Sequence, residues 1–554
     1  MADNETSIKK PPFYIRWFFP ILVFLGCLGG FLALTVPLWK TWAATPKTNC
    51  IEFIIGWIGS LLSSFIPDHD DEKYPQGKVI TDLRLHILYI TGGVIAILTL
   101  LQTNWKNQVD HRKVEDDIQK NKNDHDRQVH AERRSRYTKA AEQLGDEKAT
   151  VRLGGIYTLV GLVDEWLSDD TLDSEEQQKE GQIIINNLCS YIRSPFPLAE
   201  KIEEYEAHQE LEDLQKLESE KLSEEKSLRL RALLKRFENP NDYEKPEDIT
   251  ADYAKFHEER DVRLTIFKEM SKRSSNVSVD KSEEVTVTPR AWSTFEFDFS
   301  RAPIFYPLNN LTIEQGNFGS TRFYGEADFR AAKFAKNAHF LGAEFTGAAH
   351  FLGAEFAENA HFKNAKFTRG ANFTNAKFTK NADFRNAKFT GNAHFKNAKF
   401  PRGAGFSKAE FTRDANFTDT KFTGDAYFGG AKFTGKAHFT DTKFTEKAHF
   451  TDARFTRGAG FSKAKFTRYT SFEGAYFEKY APTFAEGSGS AQFSIHVNWT
   501  DSNFSVHSRS QPIERGNATL GNKTFRIPLG TILFDPASWD KSKRQYTRVS
   551  EPAK

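Results

Sequence analysis

The sequence predicts a membrane-anchored chain of mixed class: N-terminal transmembrane helices, a helical middle region, and a C-terminal β-solenoid of eleven-residue double repeats. Three observations predict it. Stepping by five and then six residues from Phe329 to Phe477 meets Phe at every stop. Two apolar runs near the N-terminus are long enough to cross a bilayer. Charged, helix-patterned segments lie between those runs and the repeats.

An eleven-residue period also suits a supercoiled helix. At about 100° per residue, however, the two Phe of a unit would point roughly 140° apart and form no stripe. Gly, Asn and Thr fill the other positions and are poor helix formers. In Ala-x-Phe the Ala and Phe of a strand share one face and the middle residue points away. The gaps, such as "TRG", "TKN" and "TGN", are turn-like. Each Ala-x-Phe therefore reads as a short strand and each gap as a corner. Four sides make a coil of about 22 residues, and residues 324–477 about seven coils at roughly 4.8 Å each.

"ANFTN" (371–375) and "ADFRN" (382–386) match A-[D/N]-[L/F]-x-x. The segment resembles the pentapeptide-repeat family, whose coils form a right-handed quadrilateral β-helix. The extra residue in every second unit departs from the family stride and predicts a bulged corner there. The resemblance implies a fold, and family members differ in function.

Residues 1–105 read as a membrane anchor. Spans are expected at about 17–38, "WFFPILVFLGCLGGFLALTVPL", and 85–105, "LHILYITGGVIAILTLLQTNW". The first is too long for a signal peptide and lacks a clear small-x-small cleavage site. Residues 51–66, with Gly56, Ser60 and Ser64 on one face, read as a third span or an interfacial helix. Lys9, Lys10 and Arg16 precede the first span and Lys106, Arg112 and Lys113 follow the second, with "DHDDE" (68–72) between. The positive-inside rule then places the N-terminus and the solenoid in the cytoplasm.

Residues 106–197 read as a juxtamembrane and helical region, with a turn near Gly145. Positions 136–140, 142–145, 151–157 and 159 of "RYTKAAEQLGDEKATVRLGGIYTL" resemble a stretch of membrane-anchored pentapeptide-repeat proteins of actinobacteria. Residues 198–273 read as a charged helical insert, 198–237, solvated rather than coiled-coil because its leucines hold no clean heptad, and then "RDVRLTIFKEMSKR" (260–273), which resembles the helix that precedes the repeats in those proteins. A linker is expected at 274–290, the β-helix at 291–484 with "AWSTFEFDF" starting or capping it, and a C-terminal cap and tail at 485–554, the last dozen residues disordered.

No catalytic constellation stands out. "LGG" (153–155) has no Gly-Lys-Ser/Thr after it at the P-loop spacing. Cys27, Cys50 and Cys189 have neither metal-ligand spacing nor a disulfide framework. A Phe-filled interior leaves no pocket, so no enzyme, cofactor or metal is expected and function falls to the outer faces. Overall charge is near balance, but 318–477 carries about 26 Lys and Arg against about 14 Asp and Glu. Residues 22 apart should stack. One row is Lys333, Glu355, Lys377, Lys399, Lys421, Lys443 and Lys465; the opposite row is Glu344, Lys366, Lys388, Glu410, Lys432 and Arg454. Lys377, Lys399, Lys421, Lys443 and Lys465 of the one and Lys366, Lys388, Lys432 and Arg454 of the other are the candidate interaction surface. His339 and His361 should stack on one face, and His350, His394 and His438 on another, as solvated side chains; parallel rows do not converge on a metal. A threonine row, Thr346, Thr368, Thr390, Thr412, Thr434 and Thr456, suits outward strand positions. It would serve ice binding only on an extracellular face.

The expected function is a non-catalytic membrane-tethered scaffold or protein-interaction module presenting a rigid basic β-helix. The expected partners are the membrane and an unidentified protein or other anion, with a second copy of the chain as a further candidate. The alternative is a nucleic-acid or DNA-gyrase effector, as some members of the family are. Mimicry of DNA needs a negative surface, so the basic charge and the anchor disfavour it.

Overall fold

A computed structural model describes residues 13–42, 75–217, 223–239, 243–279, 285–487, 489–496 and 500–554. The expected helix at 51–66 lies outside them. The chain divides into two compact units, 1–130 and 131–554.

In the first unit a helical turn, Phe13–Arg16, precedes helix α1 (Phe18–Trp42). Helix α2 runs from Pro75 to Gln143, so the second expected span and the juxtamembrane stretch fall in one helix. No Gly or Pro interrupts the sequence between Gly93 and Gly145, which leaves nothing to break it. Each of the two helices has a stretch apolar enough to cross a membrane, of mean hydropathy 2.2 and 1.8. Phe19, Phe24, Phe31, Leu88, Ile90 and Leu100 are exposed along them. A Cβ on Gly29 would stand 2.4 Å from Thr91 Cγ2, so the missing side chain is what lets the two helices approach there.

In the second unit, α3 (Ala149–Leu167), α4 (Ser174–Arg193) and α7 (Ile249–Arg273) pack together. Asp173 and Asp248 cap α4 and α7 by accepting from Glu176 and Ala251 backbone N–H. Ile156, Leu159, Val163, Ile185, Leu188 and Ile266 lie in a core that runs without a break into the solenoid. Phe267 of α7 sits 4.5 Å from Phe299, and Trp292 Nε1 donates to Asp164 Oδ1 at 2.9 Å. A Cβ on Gly181 would meet Phe295 at 2.5 Å, so that glycine seats the ring on α4.

Residues 198–237, expected as one charged helix, form two: α5 (Pro197–Lys216) and α6 (Glu224–Arg236). They pack as a hairpin around Ala207, Leu211, Leu214 and Leu233. Leucines that make no heptad along one helix make a core between two. Residues 274–290, expected as a linker, include an antiparallel pair, Asn276–Val279 with Val285–Thr288.

The solenoid has four parallel sheets of nine, nine, seven and ten strands. They are numbered here in the order the chain meets them within a coil. Their registers are Ala338↔Ala360 on the first face, Glu344↔Lys366 on the second, Ala349↔Ala371 on the third and Glu355↔Lys377 on the fourth. Each partner lies 22 residues on. Ala and Phe point in, as the alternation predicts. Phe362 lies parallel to Phe340 and Phe384, 4.8 Å from each, and edge-on to Phe351 and Phe373 at 5.5 and 5.4 Å. These are favoured aromatic geometries, and the ring spacing equals that of hydrogen-bonded strands. Where Thr420 and Thr442 replace the inward Ala, each buried hydroxyl donates at 2.7 Å to the carbonyl of Phe395 or Phe417.

The corners explain the alternating stride. Five-residue steps turn through a left-handed residue, as at Asn364, Asn375, Asn386 and Asn397, with φ of 57 to 60°; Asn tolerates that region better than most residues. From Phe329 on, the six-residue steps, where a bulge is expected, use no left-handed residue; the step before, Phe323 to Phe329, has one at Gly325. Instead, Asn337, Asn359 and Asn381 each accept, through Oδ1, the backbone N–H of the residue 22 positions on. Asp414 and Asp425 do the same. Glycine is needed where coils stack closest: a Cβ on Gly435 would stand 2.3 Å from the carbonyl carbon of Arg413. Gly435→Ala is expected to lose about 1–3 kcal/mol through backbone displacement. Gly458→Ala, with nothing within 4 Å, should be near neutral. Thermal unfolding of the full chain checks both.

The solenoid extends past the expected boundary. Gln492–Ser494 and Ile532–Phe534 continue the fourth face. The last dozen residues, expected to be disordered, cover its end. Ser550 exchanges hydrogen bonds with the Leu533 backbone, Val549 pairs with Phe534, and Ala553 is buried. An open edge strand and a Phe core give this tail something to cover.

Candidate interaction surface

Both basic rows fall on strands in the expected register, on non-adjacent faces. The fourth face carries Lys333 to Lys465 in line. The protein's own structure uses both ends of this row. Lys333 Nζ donates to the Val277 carbonyl at 2.6 Å. Lys465 lies 5.6 Å from the Trp539 ring centre and 5.4 Å from that of Tyr546. Burial lowers the Lys465 ammonium pKa, and Lys443 adds to the effect. Glu355 pairs with Lys377 at 3.6 Å and Lys333 at 3.9 Å. Lys399 is half-buried, whereas Lys421 and Lys443 are exposed.

On the second face Lys366, Lys388, Lys432 and Arg454 are exposed. Lys432 pairs with Glu410 at 2.9 Å, and Arg454 with Glu478 at 3.6 Å while covering the Tyr476 ring. Sequence reasoning missed that an acidic helix lies along this face. Glu200 of α5 pairs with Arg322 at 2.9 Å. Glu210, held by Arg229 at 2.8 Å, also pairs with Arg369, at the corner just after the second face. Burial raises the Glu210 pKa, but the two arginines outweigh it and the net shift is downward. The available signal was charge: α5 carries seven acidic residues against two basic ones.

His339 stacks on His361 with ring centres 5.0 Å apart. His350, His394 and His438 alternate with Asn372 and Asn416 on the third face, as read. Among the described residues no group of three or more His, Cys, Asp or Glu could hold a metal ion. Thr346 and Thr456 spend hydroxyls on Phe323 O and Glu478. Burial lowers the pKa of His339, His438 and His449 below 6.5; His361 adds to the effect at His339, while Asp414 and Asp425 oppose it at the other two. The unfolded chain then takes up these protons first. This stability is present above pH 6.5 and is lost as pH falls through the lowered values. The unfolding temperature is therefore expected to drop between about pH 7.5 and pH 5.5. Replacing all three by Asn, which the first face already holds at Asn317 and the third at Asn372, should flatten that part of the curve.

The family described as pentapeptide repeats (nine copies) matches residues 351–399 and 395–443. No curated protein and no solved structure matches the chain. The matched residues lie in the middle of the four-sheet solenoid, so the solenoid of this chain is built of pentapeptide repeats.

Proposed function

We propose that this is a non-catalytic, membrane-tethered interaction module whose right-handed quadrilateral solenoid offers its lysine rows to an acidic partner in the cytoplasm. The observation that carries the reading is the exposed, in-register basic side chains on a rigid, Phe-filled support. Rigidity spares the ordering cost of binding. The two apolar helices support tethering, and the basic residues at their flanks support a cytoplasmic solenoid.

Binding of fluorescent poly-aspartate to the full chain in detergent tests this. Affinity is expected to fall several-fold between about 50 and 200 mM salt. It should fall again in a Lys421→Gln, Lys443→Gln double variant. Affinity indifferent to both would contradict the reading.

A further inference from the structure

We propose that the upper part of the second face binds an acidic α-helix of a partner protein, laid parallel to the solenoid axis along the corner of Arg369. This rests on the reading just given and names the class of partner.

The molecule already contains one such complex. Helix α5 reaches Arg322 with Glu200 and Arg369 with Glu210. Arg322 is on one second-face strand, and Arg369 follows the strand two coils further on. The arrangement continues beyond α5. Along the corner of Arg369 the residue two coils on is Arg413, and two coils beyond that Arg457. The intervening positions are Gly391 and Gly435, where a Cβ would strike the backbone of the coil below. Side chains can therefore project here only at alternate levels, and arginine occupies three successive ones. Two coils rise about 9.6 Å. Seven residues of α-helix rise about 10.5 Å. A helix parallel to the axis that carries carboxylates seven residues apart would meet one arginine after another. Lys388, Lys432 and Arg454 are exposed beside this corner.

A polypeptide fits better than nucleic acid. Glu344 and Glu410 interrupt the basic row, which penalises a uniform polyanion but not a helix of mixed charge. The row itself presents no exposed aromatic side chain for bases to stack on.

The test uses the full chain in detergent and two labelled 21-residue peptides of one composition. One is Ala-rich and helical, with Glu every seventh residue and two prolines at its N-terminus; in the other, the two prolines stand at the centre and break the helix. Fluorescence anisotropy at about 100 mM salt is expected to show the helical peptide binding at least about tenfold tighter. Arg413→Gln with Arg457→Gln should abolish that preference, and Lys421→Gln with Lys443→Gln should leave it. If the peptides bind equally, or a DNA duplex binds more tightly than the helix, the proposal falls while the general basic surface stands. If neither peptide nor poly-aspartate binds, both fall.

Discussion

Phe395→Ala is expected to destabilise the solenoid by about 3–5 kcal/mol. Phe395 is fully buried, parallel to Phe373 at 5.0 Å and Phe417 at 4.9 Å, and edge-on to Phe384 and Phe406 at 5.5 and 5.3 Å. A cavity costs most where its walls cannot move in. Here the rings above and below are held by their own coils, whose spacing is set by backbone hydrogen bonds such as Phe373 N–H to His394 O at 2.7 Å. Each coil touches only its neighbours, so the loss should spread as weakened coupling between coils on either side. Urea unfolding followed by far-UV circular dichroism measures it. Phe395→Leu, which keeps most of the volume, should cost clearly less. A loss under about 0.5 kcal/mol for the alanine variant would show that the Phe column does not hold the coils together.

The second large effect lies where helices meet solenoid. Arg263 is almost fully buried. Its Nε donates to Glu259 Oε1 at 2.6 Å, Nη1 to Ile192 O at 2.9 Å and Nη2 to Ser194 O at 3.1 Å. Arg152 approaches Glu259 Oε2 at 3.3 Å, and the Tyr191 hydroxyl donates to the same oxygen at 3.0 Å. The guanidinium also packs against the rings of Phe196 and Phe305, so one side chain ties α7 to the end of α4 and to the first coils. Glu259→Ala would leave Arg263 buried without its counter-charge and is expected to cost about 3–5 kcal/mol. Combining it with Arg263→Met removes the stranded charge and should recover much of that loss. Thermal unfolding of the single and double variants decides. A double variant as unstable as the single one would mean that the hydrogen bonds to Ile192 and Ser194, rather than charge balance, hold the junction.

What could be read from the sequence follows from how local each feature is. The Phe stride and the two charged rows repeat with the strand and coil periods, so spacing alone placed Lys421 over Lys399 and under Lys443. The Asn375 corner and the Asn381 ladder occupied visible positions, but only the backbone shows that one corner turns left-handed and the other is closed by a side chain from the coil below. The remaining features depend on segments far apart in the chain. The Glu210–Arg369 pair spans 159 residues, and nothing near Glu210 announces its partner. Leu211 and Leu214 looked like part of a failed heptad because their partners were sought along one helix, whereas Leu233 meets them across a hairpin. The tail was expected to be disordered as a chain terminus, whereas the open end of a Phe column gives Val549, Ser550 and Ala553 a surface to order on.

The central claim is that a membrane-held solenoid offers its lysine rows to the cytoplasm. Thiol accessibility in cells tests it most directly. Lys421→Cys, in a chain whose Cys27, Cys50 and Cys189 are replaced by alanine, places one thiol on the exposed fourth face. The account predicts that a membrane-impermeant maleimide labels it only after the cells are permeabilised, with the chain in the membrane fraction throughout. Labelling in intact cells would put the basic faces outside and contradict the claim.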